Sequence, residues 1–380
     1  MKRVGCIGVV LILLAALLPL RAHAALEVPG KSALLMDVAT GTVIFEQNAH
    51  EPLPPASVTK VMTLLLIMEA IDGGRILWND LVTTSETAAG KGGSQIFLKV
   101  GEQMTVSDMV KSIAVSSAND CACAMAEHLC GSEEAFVEKM NARAAELGMK
   151  DTHFVNCTGL DDGEDAAQHK TSAYDIAIMS QQLLKYHPKI TEFTTIWMDT
   201  VRDGTFGLSN TNKLVRFYSG ATGLKTGFTQ GAGYCLSASA KREDLELIAV
   251  VMGCESSPER FAACKSMLDH GFAGYALATP QMTEPAEVPV VLGTADMVNA
   301  VPAKDTQVLI DKGQKATVTT RIELEESVTA PVSQGQKLGT LSLMAGDQVL
   351  AQVPLVAQEP VAKLSWGQMF KRVMRSICFG

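Results

Sequence analysis

Three short stretches of this sequence hold residues whose types and spacing could do chemistry. The first is "ASVTK", where Ser57 and Lys60 stand three residues apart at the head of an apolar run, residues 61–68. On a helix, residues i and i+3 share a face, so the Lys60 amine would lie against the Ser57 hydroxyl. Serine offers no alkoxide at neutral pH until a base touches it. A lysine is a base only when burial or a neighbouring positive charge lowers its pKa. The apolar run supplies burial, and Lys225 is a candidate neighbouring cation. Taken alone, the pair reads more readily as a helix cap and a lysine that snorkels to water.

The second stretch is "SSAND", with Ser117 and Asn119 at a break between two helical patterns. Such residues are ordinary at helix breaks. As chemistry, Ser117 can relay a proton to a leaving amine, and Asn119 can hydrogen-bond a substrate amide. The third is "GLKTGFT", just before a strand expected from about Tyr234. Lys225 reads either as a charged strand start or as a fixed cation for a terminal carboxylate, with the Thr226 hydroxyl helping. Gly227 would let a peptide approach the strand edge and pair with it.

The trio S-x-x-K, S-x-N and K-T-G, in that order, resembles the serine-type D-alanyl-D-alanine carboxypeptidases of the low-molecular-mass penicillin-binding protein class. The resemblance extends to "GGSQIFLKVGE", to "NCTGLDDGEDAAQHKTSAYDIAIMS", and to the β-rich and amphipathic C-terminal segments. It implies an α/β (α+β) catalytic domain of the serine β-lactamase/DD-peptidase type, an antiparallel sheet flanked by helices. It implies Ser57 as nucleophile, Lys60 as base, and Ser117 and Asn119 as catalytic partners. Lys225, Thr226, Gly227 and Phe228 would bind substrate, with the backbone N–H groups of Ser57 and Phe228 as the oxyanion hole. It implies peptidoglycan stem peptides ending in D-Ala-D-Ala as substrate, acylation by β-lactams, and neither cofactor nor metal. Ala118 fills the middle of S-x-N, where glycine is also common, and Cys121 and Cys123 stand where alanine-like residues are expected.

Three other functions share parts of this pattern. A β-lactamase shares the acylation apparatus, but no E-x-x-x-N-type element lies between Asn119 and Lys225. A D,D-endopeptidase would use the same residues on cross-linked peptides. A non-catalytic penicillin-binding sensor or wall anchor would not need the complete motif set.

The elements that must position these residues follow from periodicity and punctuation. Residues 31–38 and 42–47 read as a hairpin, and the helix from Ser57 ends at Gly73-Gly74. Helices follow over 105–113 and beyond, 121–129, from Ser132 to Gly148, and 171–186. Two strands, 234–240 and 245–252, precede a helix starting at Ser257-Pro258. Strands from both ends of this region suggest one sheet. Residues 276–360 are rich in Pro, Gly, Val and Thr and read as a small all-β domain, with strands at 306–310, 316–323, 337–344 and 347–356. Residues 361–380 read as a basic amphipathic helix, too short and charged to span a bilayer, which favours a membrane surface over docking on its own β domain.

A length of 380 residues fits two domains, and the formal charge of −9 argues against nucleic acid as partner. Lys2 and Arg3, the apolar stretch 4–20 and Ala22-His23-Ala24 read as a secretory signal peptide, residues 1–24, though a retained anchor has the same pattern. The catalytic domain is then 25–275. Nine cysteines are present; the eight beyond Cys6 lie mostly in apolar patterns and read as small core residues rather than a disulfide framework. None forms a C-x-x-C zinc pair. His169 reads as loop-ordering. Asp161, Asp162, Glu164 and Asp165 lack calcium-loop spacing and read as a solvated loop.

Overall fold

The computed structural model describes residues 26–379, except 164, 283–285 and 305. The expected signal peptide, Cys6 and Glu164 therefore lie outside the described residues. Strand β1 (Ser32–Asp37) is buried along its whole length. It pairs with β2 (Val43–Gln47) on one side and β5 (Leu245–Cys254) on the other. Between β2 and β5 the chain builds α1 (Lys60–Asp72), α2 (Val106–Ser116), α3 (Asn119–Cys130), α4 (Glu133–Glu146) and α5 (Ala173–Tyr186). It then adds β3 (Ala221–Thr229) and β4 (Gly233–Arg242). The sheet order is β2-β1-β5-β4-β3, antiparallel throughout, with β3 at an open edge.

Alternation along the strands divides the core. Leu34, Met36, Ile248, Val250 and Met252 face the helical layer. Ala33, Leu35, Leu247, Ala249 and Val251 face α6 (Ser257–Gly274). Successive side chains point to opposite faces, so strands covered on both faces read as unbroken apolar runs. Helix α1 is buried nearly all round, as its sequence without a polar face requires. Thr105, Ser132, Ser172 and Ser256 accept hydrogen bonds from the first-turn N–H groups of α2, α4, α5 and α6 and so set where those helices start.

Beyond α6 lies a six-stranded sheet. Its strands are β6 (Ala286–Val291), β7 (Met297–Pro302), β8 (Val318–Leu324), β9 (Val328–Thr329), β10 (Lys337–Ala345) and β11 (Gln348–Ala357), in the order β8-β10-β11-β7-β6-β9. Strand Tyr275–Ala278, directly after α6, pairs with Val308–Asp311 and ties this sheet to the catalytic region.

Three features differ from the sequence reading. The K-T-G stretch lies inside β3 rather than ahead of a strand; two glycines and a lysine hid an edge strand. Strands β6 and β7 were not anticipated. The tail also begins later than 361: Val361 is buried and bridges Val332, and Leu364 N donates to Leu292 O. These extended residues belong to the β domain, and helix α7 runs Trp366–Phe379. Trp366, Phe370 and Ile377 are 88, 70 and 73% exposed, while Arg372 pairs with Asp296 of the β domain. The seven described cysteines, 121, 123, 130, 157, 235, 254 and 264, are all unpaired thiols, and all but Cys130 are buried.

Candidate active site

Ser57 lies in a 3-10 turn, Ala56–Thr59, that feeds α1. Neither the turn nor α1 has a side-chain cap, so the Ser57 hydroxyl is not a capping group. The capping alternative is thereby removed. The turn is locked from beneath. Thr59 Oγ1 donates to Ala56 O at 2.8 Å, and His169 Nε2 lies 2.7 Å from Thr59 Oγ1. His169 Nδ1 accepts from Val155 N at 3.1 Å, which fixes the proton on Nε2. Burial, then His153 and Lys60, lower the His169 pKa to about 4, so it stays neutral. Gly159 closes over the turn at φ +81°; a Cβ there would stand 1.9 Å from Ala56 O.

Lys60 is fully buried. Its Nζ is 2.5 Å from Asn119 Oδ1, 2.7 Å from Thr158 O and 3.1 Å from Ser57 Oγ. A neutral amine has two N–H groups and one lone pair. The two carbonyl oxygens accept the two N–H groups, and the lone pair is left for the Ser57 hydroxyl. Burial drives the Lys60 pKa down to about 7, against the opposing influence of Cys157 and Asp120. Burial, not the Lys225 cation, is therefore the main reason that the amine is neutral in a large fraction of molecules near pH 7.

The other motifs arrive by three routes. Ser117 ends α2 in the left-handed region, φ +63°, and is buried. Such a conformation costs a non-glycine residue about 1–3 kcal/mol. The break lets α3 start at Asn119, whose Nδ2 donates to Gly92 O and backbone N to Ser94 O, both at 2.7 Å. Both ends of the Asn119 amide are thus engaged before substrate arrives, and the second N–H of Nδ2 and the second lone pair of Oδ1 remain for an expected contact to substrate. Strand β3 packs on the Ser57 turn: a Cβ on Gly227 would stand 2.5 Å from Pro55 O. The absent side chain thus serves first to seat the strand on the turn.

Lys225 is 1% exposed and its Nζ donates to Thr226 O at 2.8 Å. Burial, then Lys60 and Arg260, lower its pKa well below the ordinary lysine value. Thr226 Oγ1 donates to Thr211 Oγ1 at 2.7 Å. Phe228 is half exposed and stacks on Tyr234 with ring centroids 4.3 Å apart.

Several positioning groups left no motif in the sequence. The Thr158 and Gly92 carbonyls are backbone atoms. Buried Asp120 accepts from Ile96 N and Leu98 N and ties the loop after Gly92 to the start of α3. Buried Glu133 accepts from Cys157 N and Sγ at 3.1 and 3.2 Å and pairs with Lys91. Burial opposes its charge, yet Lys91 and Cys157 hold its carboxyl below the usual range. A cavity of about 490 Å³ lies beside these loops, lined by Lys91, Gly92, Glu133, Asn156, Thr158 and Leu160. It does not include Ser57, Lys60 or the K-T-G strand, which lies at the edge of the sheet. Asp161, Asp162 and Asp165 are exposed.

A family model described as D-alanyl-D-alanine carboxypeptidase matches residues 20–256. The chain belongs to this family. A second model, penicillin-binding protein 5, C-terminal domain, matches residues 280–363. The chain is 46% identical over 351 residues to D-alanyl-D-alanine carboxypeptidase DacF of Bacillus subtilis, covering 90% of this chain and 89% of that protein. Among solved structures, it is similar to penicillin-binding protein 5 of Haemophilus influenzae, with TM-score 0.77 and 30% identity over 89% of this chain and 98% of the other. It is also similar to penicillin-binding protein D2 of Listeria monocytogenes in its ampicillin-bound form, with TM-score 0.59 and 30% identity over 65% of this chain and 99% of that one. The fold is that of the serine DD-peptidases, with an all-β domain and a terminal helix behind it.

Proposed function

We propose that this chain removes the C-terminal D-Ala from pentapeptide stems of peptidoglycan through an acyl-enzyme on Ser57. The observation that carries the reading is the buried Lys60 amine, whose Nζ lies within hydrogen-bond reach of Ser57 Oγ, Asn119 Oδ1 and Thr158 O, so that its neutral form, with both N–H groups on the two carbonyls, keeps a lone pair for Ser57. Lys60 takes the Ser57 proton as the oxygen attacks the carbonyl between the two D-alanines. The N–H groups of Ser57 and Phe228 stabilise the oxyanion; the first is among the N–H groups that a helix start leaves unpaired. Ser117 passes the proton to the departing D-Ala amine. Water then hydrolyses the ester, with Lys60 as base again. A β-lactam presents the same carbonyl beside a carboxylate and acylates Ser57, a reading supported by the ampicillin-bound relative.

The β-lactamase alternative needs a carboxylate free to activate water. Glu133 is the one buried glutamate among the described residues, and its oxygens are committed to Lys91 and Cys157. The test is mass spectrometry of products from a pentapeptide muropeptide and from a cross-linked dimer. Release of one D-Ala from the first with the dimer uncut is expected; cleavage of the dimer alone would make the protein an endopeptidase.

A substrate carboxylate arriving beside Lys225 favours the charged ammonium, because an opposite charge raises a lysine pKa. Lys225→Ala is therefore expected to raise KM for peptides with a free C-terminal carboxylate by roughly tenfold or more, with far less effect on C-terminally amidated peptides. Equal losses on both would remove Lys225 from this role.

We further infer export through residues 1–24 and attachment to the outer face of the cytoplasmic membrane through α7. No helix among the described residues is long and apolar enough to cross a membrane. The exposed Trp366, Phe370 and Ile377, with Lys371 and Arg375 and no acidic residue, suit an anionic lipid surface. Deletion of 366–380 should move the protein from pelleted vesicles to the supernatant and leave peptide hydrolysis within about twofold, since α7 lies outside the catalytic cleft. Unchanged sedimentation would contradict the attachment.

A further inference from the structure

Arg260 stands on α6, on the far side of β3 and β4 from the helical layer, and is 8% exposed. A buried guanidinium needs a reason, because burial disfavours its charge. Its Nη1 donates to Gly227 O at 2.8 Å and to Cys235 O at 3.3 Å. Its carbon centre lies 5.3 Å from the Tyr234 ring and 5.0 Å from the Phe261 ring. Tyr234 in turn stacks on Phe228. The Arg260 Nε is buried without a hydrogen-bond partner among the described residues. An orphan donor of this kind is costly, so the guanidinium is held where it serves the two carbonyls and not its own hydrogen bonding.

The Gly227 carbonyl and the Phe228 N–H belong to one peptide unit. A trans peptide is planar, with C=O and N–H pointing in opposite directions. Gly227 pairs in register with Cys235, and its carbonyl meets Arg260 on the inner side of the edge strand. The Phe228 N–H is therefore turned to the open edge, where substrate lies. A charge-assisted bond to the carbonyl fixes the plane. It also withdraws electron density from the amide and makes its N–H a stronger donor.

We propose that Arg260 is a positioning residue of the oxyanion hole: it orients and polarises the Gly227–Phe228 peptide from behind, without touching substrate. The inference rests on the reading of Phe228 N–H as an oxyanion donor. Arg260 acts twice on the same unit, through the backbone at Gly227 O and through the Tyr234 ring against Phe228.

The test compares an acyl-D-Ala-type ester with its thionoester, in which sulfur replaces the carbonyl oxygen that becomes the oxyanion. Sulfur is larger and a poor hydrogen-bond acceptor, so the ratio of the two kcat/KM values reports the grip of the oxyanion hole. The ratio does not depend on the fraction of enzyme that is folded. The wild-type protein should strongly prefer the carbonyl ester. Arg260→Gln should lower kcat for the carbonyl ester about tenfold, less than the 10²–10³-fold of losing a donor outright. Its KM should barely change, and the carbonyl preference should shrink in step with kcat. Arg260→Lys should recover part of the preference. A wild-type-like ratio in Arg260→Gln overturns the inference and leaves the oxyanion reading standing. A wild-type protein with no carbonyl preference overturns the oxyanion reading itself. Loss confined to esters with a free carboxylate, with amidated esters unaffected, would make Arg260 a substrate cation and also overturns the inference.

Discussion

Ser57→Ala is expected to lower the rate of D-Ala release by about 10⁶-fold, the scale seen when the nucleophile of a serine hydrolase is removed. No other described group is prepared to replace it. Ser57 is the one hydroxyl among the three described groups within hydrogen-bond reach of Lys60 Nζ, at 3.1 Å. Ser117, the other motif serine, is buried at the end of α2. Binding should survive, because Lys225, Thr226 and the β3 edge are untouched. The checks are single-turnover D-Ala release and the dissociation constant of a pentapeptide, the first lost and the second within a few-fold of wild type. Retained hydrolysis in Ser57→Ala would place the nucleophile elsewhere.

Lys60→Met should slow acylation by about 10²–10⁴-fold, the range of general-base catalysis. Methionine keeps the volume of the buried stem and removes the base. The pH dependence gives a second, independent reading. A base works only deprotonated. With a Lys60 pKa of about 7, the acylation rate should fall about tenfold per unit as pH drops below 7 and level off above it. That limb should vanish in Lys60→Met. A wild-type profile that keeps rising to the ordinary lysine range would mean that burial does not neutralise Lys60 in the free enzyme.

The chemistry was more legible in the sequence than the strand that presents it. The contact between Ser57 and Lys60 followed from their spacing, and the burial of α1 was visible in its continuous apolar run. The central strands β1 and β5 were equally plain, because strands covered on both faces carry little but Val, Ile, Leu, Ala and Met. Strand β3 was not, since an edge strand built of Thr, Gly and Lys has no apolar signature. The groups that tune Lys60 were hidden for a different reason. Thr158 O and Gly92 O are backbone atoms, and Asp120 acts through the N–H groups of a loop more than twenty residues earlier. The tail boundary was misread because Val361 is apolar in either reading, and only its pairing with Val332 assigns it to the β domain.

The central claim is that Ser57 becomes covalently acylated during turnover. Its most direct test is peptide mapping by mass spectrometry after brief exposure to penicillin and acid quenching. The account predicts a single penicilloyl adduct, on the peptide containing Ser57, absent from Ser57→Ala and greatly slowed in Lys60→Met. An adduct on another residue, or D-Ala release by an enzyme that penicillin neither labels nor inhibits, would contradict it.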